Sequence, residues 1–181
     1  MRVISGKLKG KKLDAGAPSL GLRPTKSDAK EALFSIINSR YSETLEDANV
    51  LDLCSGSGAI GLEFISRGAN SVTFVDKDHL DIIRKNVKHC NVESQTRLVN
   101  WNVLDLPLAR KPYDFIFFDP PYDNNIYEGV QKELLEKNYL SDKTVLIIES
   151  YTKIDYQVLD EFEVELVKNY GVCRFTFLKT K

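Results

Sequence analysis

Cysteine, histidine and long hydrophobic runs are what this sequence has least of. Its three cysteines, Cys54, Cys90 and Cys173, stand far apart with no C-x-x-C pair. An odd, scattered set argues against a disulfide framework and against a structural zinc site, so reduced thiols are expected. The two histidines, His79 and His89, lie at no metal-ligand spacing and are expected as solvated helix residues, with no metal bound. The longest apolar runs, 115–118 and 145–148, are far below the roughly 20 residues of a membrane helix. Residues 1–6 turn polar before an export-signal core could form. A cytoplasmic protein with no membrane partner is the expectation.

What the chain does have is enough length, 181 residues with 43% hydrophobic content, for one domain with a real core. The net charge of −1 conceals an asymmetry. Residues 1–30 hold eight basic side chains, Lys30 among them, against two acidic ones, a local +6 that leaves −7 on the remainder. A basic arm on an acidic body suits a polyanionic partner, because phosphate binding follows local cation density. A solvated lysine-rich face that keeps a strand edge from aggregating explains the same charges.

Residues 2–13 alternate short apolar and basic stretches around Gly6 and Gly10, which predicts a small β-hairpin outside the main body. A turn-rich stretch over 16–25 follows. Ala29, Ala32, Leu33, Ile36 and Ile37 then predict a helix over 27–39. Beyond it the order is regular: strands over 50–53, 72–75, 97–99, 113–118 and 145–148, with helices over 59–67, 80–90 and 125–137. Strands that alternate with helices and are apolar on both faces imply a mainly parallel sheet covered on each side. Runs over 162–168 and 172–178, separated by Asn169-Tyr170-Gly171, predict an antiparallel hairpin that closes the sheet. The crossover over 151–161 is short, so a helix there is expected to shrink to a turn.

Asp52-Leu53-Cys54-Ser55-Gly56-Ser57-Gly58, followed by Gly61, lies between the first sheet strand and its helix. Glycines there permit a tight turn and close approach to a ligand at a helix N-terminus. The G-x-G-x-x-G pattern suits a nicotinamide dehydrogenase as well as a methyltransferase. Asp52 favours a cationic amino-acid moiety over a pyrophosphate; a carboxylate capping the following turn is the alternative. Asp76, about 20 residues on, is placed to accept ribose hydroxyls of an adenosine. Asn102, after the third strand, is either an adenine contact or a turn residue. Trp101 fills the core or flanks that pocket.

The strand over 113–118 ends in Asp119-Pro120-Pro121-Tyr122. Two successive prolines remove two N–H donors and stiffen the loop, so Asp119 and the Pro120 carbonyl are fixed acceptors. Fixed acceptors suit an exocyclic amine, whose lone pair becomes available when its N–H bonds are engaged. Tyr122 offers a stacking face for a base.

Together, Asp52-x-x-x-Gly56-x-Gly58 and Asp119-Pro120-Pro121-Tyr122 resemble class I methyltransferases that modify exocyclic or amide nitrogens. Arg2-Val3-Ile4-Ser5-Gly6, Lys9-Gly10-Lys11-Lys12-Leu13, Gly21-Leu22-Arg23-Pro24-Thr25, Lys30-Glu31-Ala32-Leu33-Phe34 and Val145-Leu146-Ile147-Ile148-Glu149-Ser150 resemble the RsmD family of 16S ribosomal RNA guanine-N2 methyltransferases. That resemblance implies a Rossmann-like α/β domain with a seven-stranded, mainly parallel sheet and an antiparallel C-terminal hairpin. The N-terminal β-hairpin would form with residues 1–25 an RNA-contacting extension of one domain. It implies S-adenosyl-L-methionine contacts at Asp52, Cys54, Gly56, Gly58, Asp76, Lys77, Asn102, Val103 and Asp119, and an amine-positioning loop of Asp119, Pro120, Pro121 and Tyr122. RNA contacts are implied for Arg2, Lys7, Lys9, Lys11, Lys12, Arg23 and Thr25. The implied partner is 16S rRNA in an assembled or partly assembled small subunit, with the enzyme a monomer. Three rivals stay open: a methyltransferase for DNA adenine or protein glutamine, an NAD-dependent oxidoreductase, and a non-catalytic RNA-binding module.

Overall fold

The structure, a computed structural model, describes residues 1–16, 27–120 and 125–181. The expected loop residues Arg23, Thr25, Pro121 and Tyr122 lie outside the described residues. Seven strands form one sheet: β1 (Asn49–Leu53), β2 (Ser71–Val75), β3 (Thr96–Val99), β4 (Phe115–Phe118), β5 (Val145–Tyr151), β6 (Phe162–Tyr170) and β7 (Cys173–Thr180). Their order is β3-β2-β1-β4-β5-β7-β6. The first five in that order are parallel, and β7 runs antiparallel to both of its neighbours. The helices are α1 (Ser27–Arg40), α2 (Ser42–Leu45), α3 (Ala59–Ser66), α4 (Leu80–Cys90) and α5 (Asn125–Glu136). Among the described residues, no helix is long and apolar enough to cross a membrane.

Alternating side chains divide the core into two layers. Val50, Phe115, Phe117, Ile147 and Phe175 pack with Leu33, Phe34 and Phe64 beneath α1 and α3. Leu51, Leu53, Ile116, Phe118 and Ile148 face Tyr127, Val130 and Leu134 of α5. Central strands such as Phe115–Phe118, wholly buried, supply both layers at once. The segment 152–161 forms no helix, in keeping with its short reach between β5 and β6.

Three sequence expectations need correction. The buried stripe of α1 is Ala29, Lys30, Leu33, Phe34 and Ile37, whereas Ala32 and Ile36 are only half-buried. Lys30 is therefore not part of the basic surface: it is 2% exposed, and its Nζ contacts Glu63 at 3.2 Å and donates to the Arg2 carbonyl at 2.7 Å. Burial lowers its pKa, while Glu63 opposes that shift. The N-terminal segment is not a projecting hairpin either. Arg2 and Lys12 form an antiparallel bridge, but Val3, Leu8 and Leu13 enter the main core. The buried Glu63 accepts the Ile4 amide at 2.8 Å and the Ser5 amide at 3.0 Å, which fastens the hairpin to α3. Gly6, at φ 80°, makes this approach possible, because a Cβ there would lie 1.8 Å from the Ser66 carbonyl oxygen.

Candidate active site

The C-terminal ends of β1, β2, β4 and β5 share one rim, the edge where open α/β sheets take ligands. Leu53, the last residue of β1, pairs with Phe118, the last of β4, and the Asp119 amide donates to the Leu53 carbonyl at 3.4 Å. The glycine turn and the start of the Asp119-Pro120 turn thus emerge side by side, as the sequence reading required.

The glycine turn is built from unusual backbone. Cys54, Gly56 and Gly58 have φ of 59°, 55° and 77°. A non-glycine residue in that region is uncommon, and Cys54 holds it within a loop pinned from both sides. Ser55 donates its amide to the Val75 carbonyl at 3.1 Å, and its hydroxyl hydrogen-bonds the Asp52 carbonyl at 2.5 Å. Gly58 caps α3, and Gly61 lets that helix lie against β2, because a Cβ there would meet the Phe74 ring at 2.3 Å.

Asp52 is 1% exposed, and one carboxylate oxygen accepts the Gly61 amide at 3.0 Å. Burial pushes its pKa up to about 7, against the lowering effect of the Gly61 N–H and with a further push from Asp76. Asp52 thus holds the first turn of α3, the alternative role the sequence also offered, and the same carboxylate brings latent negative charge to the base of the turn. Burial also pushes the Cys54 thiol well up, with Asp76, Asp119 and Asp52 adding to the effect. Cys54 stays a neutral thiol that lines the turn.

At the end of β2, Asp76 accepts the Gly56 amide at 2.7 Å on one oxygen. Its other oxygen accepts the amides of Asp78 at 2.9 Å and His79 at 2.8 Å, and His79 Nδ1 lies 3.0 Å away. His79, expected as a solvated helix residue, is instead half-buried against this carboxylate. The signal available was an aspartate at a strand end four residues before α4, a type whose carboxylate readily accepts amides two and three residues on. Lys77 is exposed and Val103 buried. Asn102 is exposed, and its side-chain oxygen accepts the Leu104 amide at 3.1 Å, a turn-forming contact. Trp101 packs on the α5-side core, with the Arg97 guanidinium 5.2 Å from its ring centroid.

The basic hairpin is tied to the glycine turn, where the Ser57 hydroxyl also reaches the Met1 sulfur at 3.9 Å. Asn86 of α4 accepts the Asp14 amide at 2.7 Å and donates to the carbonyls of Asp14 at 2.8 Å and Ser57 at 2.9 Å. One buried side chain thus joins the hairpin's exit to the glycine turn. Arg2, Lys7, Lys9 and Lys12 are exposed and Lys11 half-buried. Lys7, Lys9, Lys11 and Lys12 line a groove of about 540 Å³ with His89, which is exposed on α4 as expected of a solvated helix residue.

A family model described as Conserved hypothetical protein 95 matches residues 1–179. Ribosomal RNA small subunit methyltransferase D of Escherichia coli (strain K12) is 32% identical over 154 residues, 83% of this chain and 74% of that protein. Among solved structures, yhhF from Escherichia coli superposes with a TM-score of 0.85 at 24% identity, covering 100% of this chain and 98% of that one. The T. thermophilus 16S rRNA N2 G1207 methyltransferase RsmC, solved with AdoMet and guanosine, gives a TM-score of 0.69 at 17% identity, over 87% of this chain and 44% of that one. At these identities the two structures speak to the fold alone.

Proposed function

Because the chain belongs to the RsmD family of small-subunit ribosomal RNA methyltransferases, with their Rossmann-like class I fold, we propose that it methylates the exocyclic N2 of a guanine in 16S rRNA. The observation that carries this reading is the meeting of two turns at one rim: the glycine turn after β1 and the Asp119-Pro120 turn after β4, linked through Asp119 and Leu53.

The residues fit S-adenosyl-L-methionine. Asp52, Cys54, Gly56 and Gly58 form the cradle for its amino-acid end, where buried negative charge favours an ammonium and absent side chains permit close approach. Asp76, Lys77, Asn102 and Val103 serve the adenosine end. When bound, the cofactor supplies an electrophilic methyl carried on a sulfonium.

The protein's own part is orientation. Asp119 and the Pro120 carbonyl accept from the two N–H bonds of the guanine amine and direct its lone pair, so proximity supplies most of the acceleration. The amine turns acidic as its new bond to carbon forms, and the surplus proton passes to Asp119 or to water. Pro121 and Tyr122 complete the loop, with Tyr122 as the stacking face for the base.

Residues 1–25 act as the RNA-contacting extension of a single domain, with Arg2, Lys7, Lys9, Lys11, Lys12, Arg23 and Thr25 on the phosphate backbone. A cytoplasmic monomer acting on an assembled or partly assembled small subunit completes the reading. The test is to incubate the protein with radiolabelled cofactor and small subunits that lack the modification, then digest the RNA to nucleosides. Label in N2-methylguanosine is expected; label in adenosine or in protein overturns the substrate.

A further inference from the structure

One carboxylate on this rim has no task in the reaction as described. Glu149 follows Ile148 in β5, and Ile148 pairs with Phe118 of β4, so Glu149 stands beside Asp119 on the neighbouring strand. Residues 117 and 147 point into the core layer under α1 and α3, and residues 118 and 148 into the layer under α5. Alternation brings Asp119 and Glu149 back to the same side of the sheet, on strands about 4.8 Å apart. Glu149 is 8% exposed, and Cys173 of β7 donates its thiol to Oε1 at 3.3 Å. Burial, then Glu149, then Asp119 push the Cys173 thiol up, so both carboxylates act on one spot.

Guanine presents two adjacent donors on one edge, the N2 amine and N1–H. Adenine presents a bare acceptor at N1. A site that engages N2 through Asp119 has the N1–H beside it, and the next carboxylate along the rim is Glu149. A carboxylate there accepts from guanine and meets the N1 lone pair of adenine with repulsion, and such polar mismatches discriminate far more strongly than shape. We propose that Glu149 accepts the N1–H of the target guanine and is the residue that selects guanine over adenine. This rests on the guanine-N2 reading above.

2-Aminopurine separates the two ideas, since it keeps the reacting amine but carries an acceptor at N1. Small subunits are reconstituted with 16S rRNA bearing either guanine or 2-aminopurine at the methylated position, and kcat and KM are measured for each. The wild-type protein is expected to methylate 2-aminopurine about 100-fold or more slowly than guanine. Glu149→Gln, whose amide donates to N1, should lose at least about 10-fold on guanine and gain on 2-aminopurine, narrowing the ratio about 100-fold. Equal wild-type rates on the two bases, or a Glu149→Gln variant that slows both by one factor, overturn the proposal and leave Glu149 as a tie between β5 and β7. If Glu149→Gln does not fold, Glu149→Asp replaces it. Its shorter carboxylate should slow guanine and spare 2-aminopurine, and an unchanged ratio counts against the role. A wild-type protein that methylates no guanine at all defeats the underlying reading instead.

Discussion

Asp76 binds the glycine turn to the second strand: one of its carboxylate oxygens accepts the Gly56 amide at 2.7 Å, while the other holds the start of α4 through the amides of Asp78 and His79. A residue expected only to meet a ribose therefore also fixes the turn that meets the rest of the cofactor. Removing the acceptor leaves these amides to find other partners, at a cost of about 1–3 kcal/mol for a buried donor. Asp76→Ala should weaken S-adenosylhomocysteine binding by about 10- to 100-fold. Titration calorimetry reads this directly, and an affinity within twofold of wild type rejects the double role.

Asp52 makes stability depend on pH in an unusual direction. Its folded pKa of about 7 lies above the ordinary 3.8, so between those values the folded protein retains a proton that the unfolded chain has released. Its contribution to stability therefore falls as pH rises from about 4 to 7, then levels off. Asp52→Asn removes that slope. The ligand-free variant should be more stable than wild type at pH 8, by an amount on the order of 1–4 kcal/mol, and so melt higher there, with the difference gone near pH 4. It should also bind S-adenosylhomocysteine more weakly, because the charge that opposes folding is the one that attracts an ammonium. Melting curves that coincide at pH 8 dispose of the argument.

Asp119 separates chemistry from cofactor binding. Its amide is in the β1–β4 ladder, so replacing the side chain leaves the backbone contact to Leu53 intact. Asp119→Ala should lower single-turnover methyl transfer by about 100- to 10,000-fold, while S-adenosylhomocysteine affinity changes only a few fold. Full activity in this variant removes the amine-orienting role.

The exposed lysines of the hairpin should act through charge alone. Lys9→Glu with Lys12→Glu is expected to raise KM for the ribosomal substrate and to lower the salt dependence of binding by about one unit of slope per lysine. Cofactor affinity should not move. An unchanged salt slope assigns these lysines to the solvated face that the sequence allowed equally.

Much of this was legible because it is encoded locally. Phe115–Phe118 is apolar at every position, which only a strand buried on both faces requires. Gly56 and Gly58 announce a turn with positive φ, and the structure shows it. The position of Lys30 is legible in principle, since it shares the three- and four-residue spacing of Leu33, Phe34 and Ile37, but a charged side chain there reads as surface unless its buried partner is known. The docking of the hairpin was not legible. Its anchor pairs Ile4 and Ser5 with Glu63, 59 and 58 residues away, and no local pattern marks a glutamate that serves two distant amides. Asn86 is the same case: a helix asparagine whose partners, Asp14 and Ser57, come together only in the folded chain.

Glu63 gives that long-range docking a measurable weight. The side chain is fully buried, accepts two hairpin amides, and faces Arg67 at 3.0 Å and Lys30 at 3.2 Å. Glu63→Ala leaves the Lys30 ammonium buried without its counterion, a loss of about 3–5 kcal/mol. Lys30→Met with Glu63→Leu removes the buried pair and should recover part of that stability in denaturant unfolding, the Arg67 guanidinium keeping only its place over the Phe34 ring. The hairpin amides of Ile4 and Ser5 stay unpartnered in the double variant, so its RNA affinity should remain below wild type even with every surface lysine in place. Recovery of RNA affinity together with stability removes Glu63 as the anchor of the hairpin.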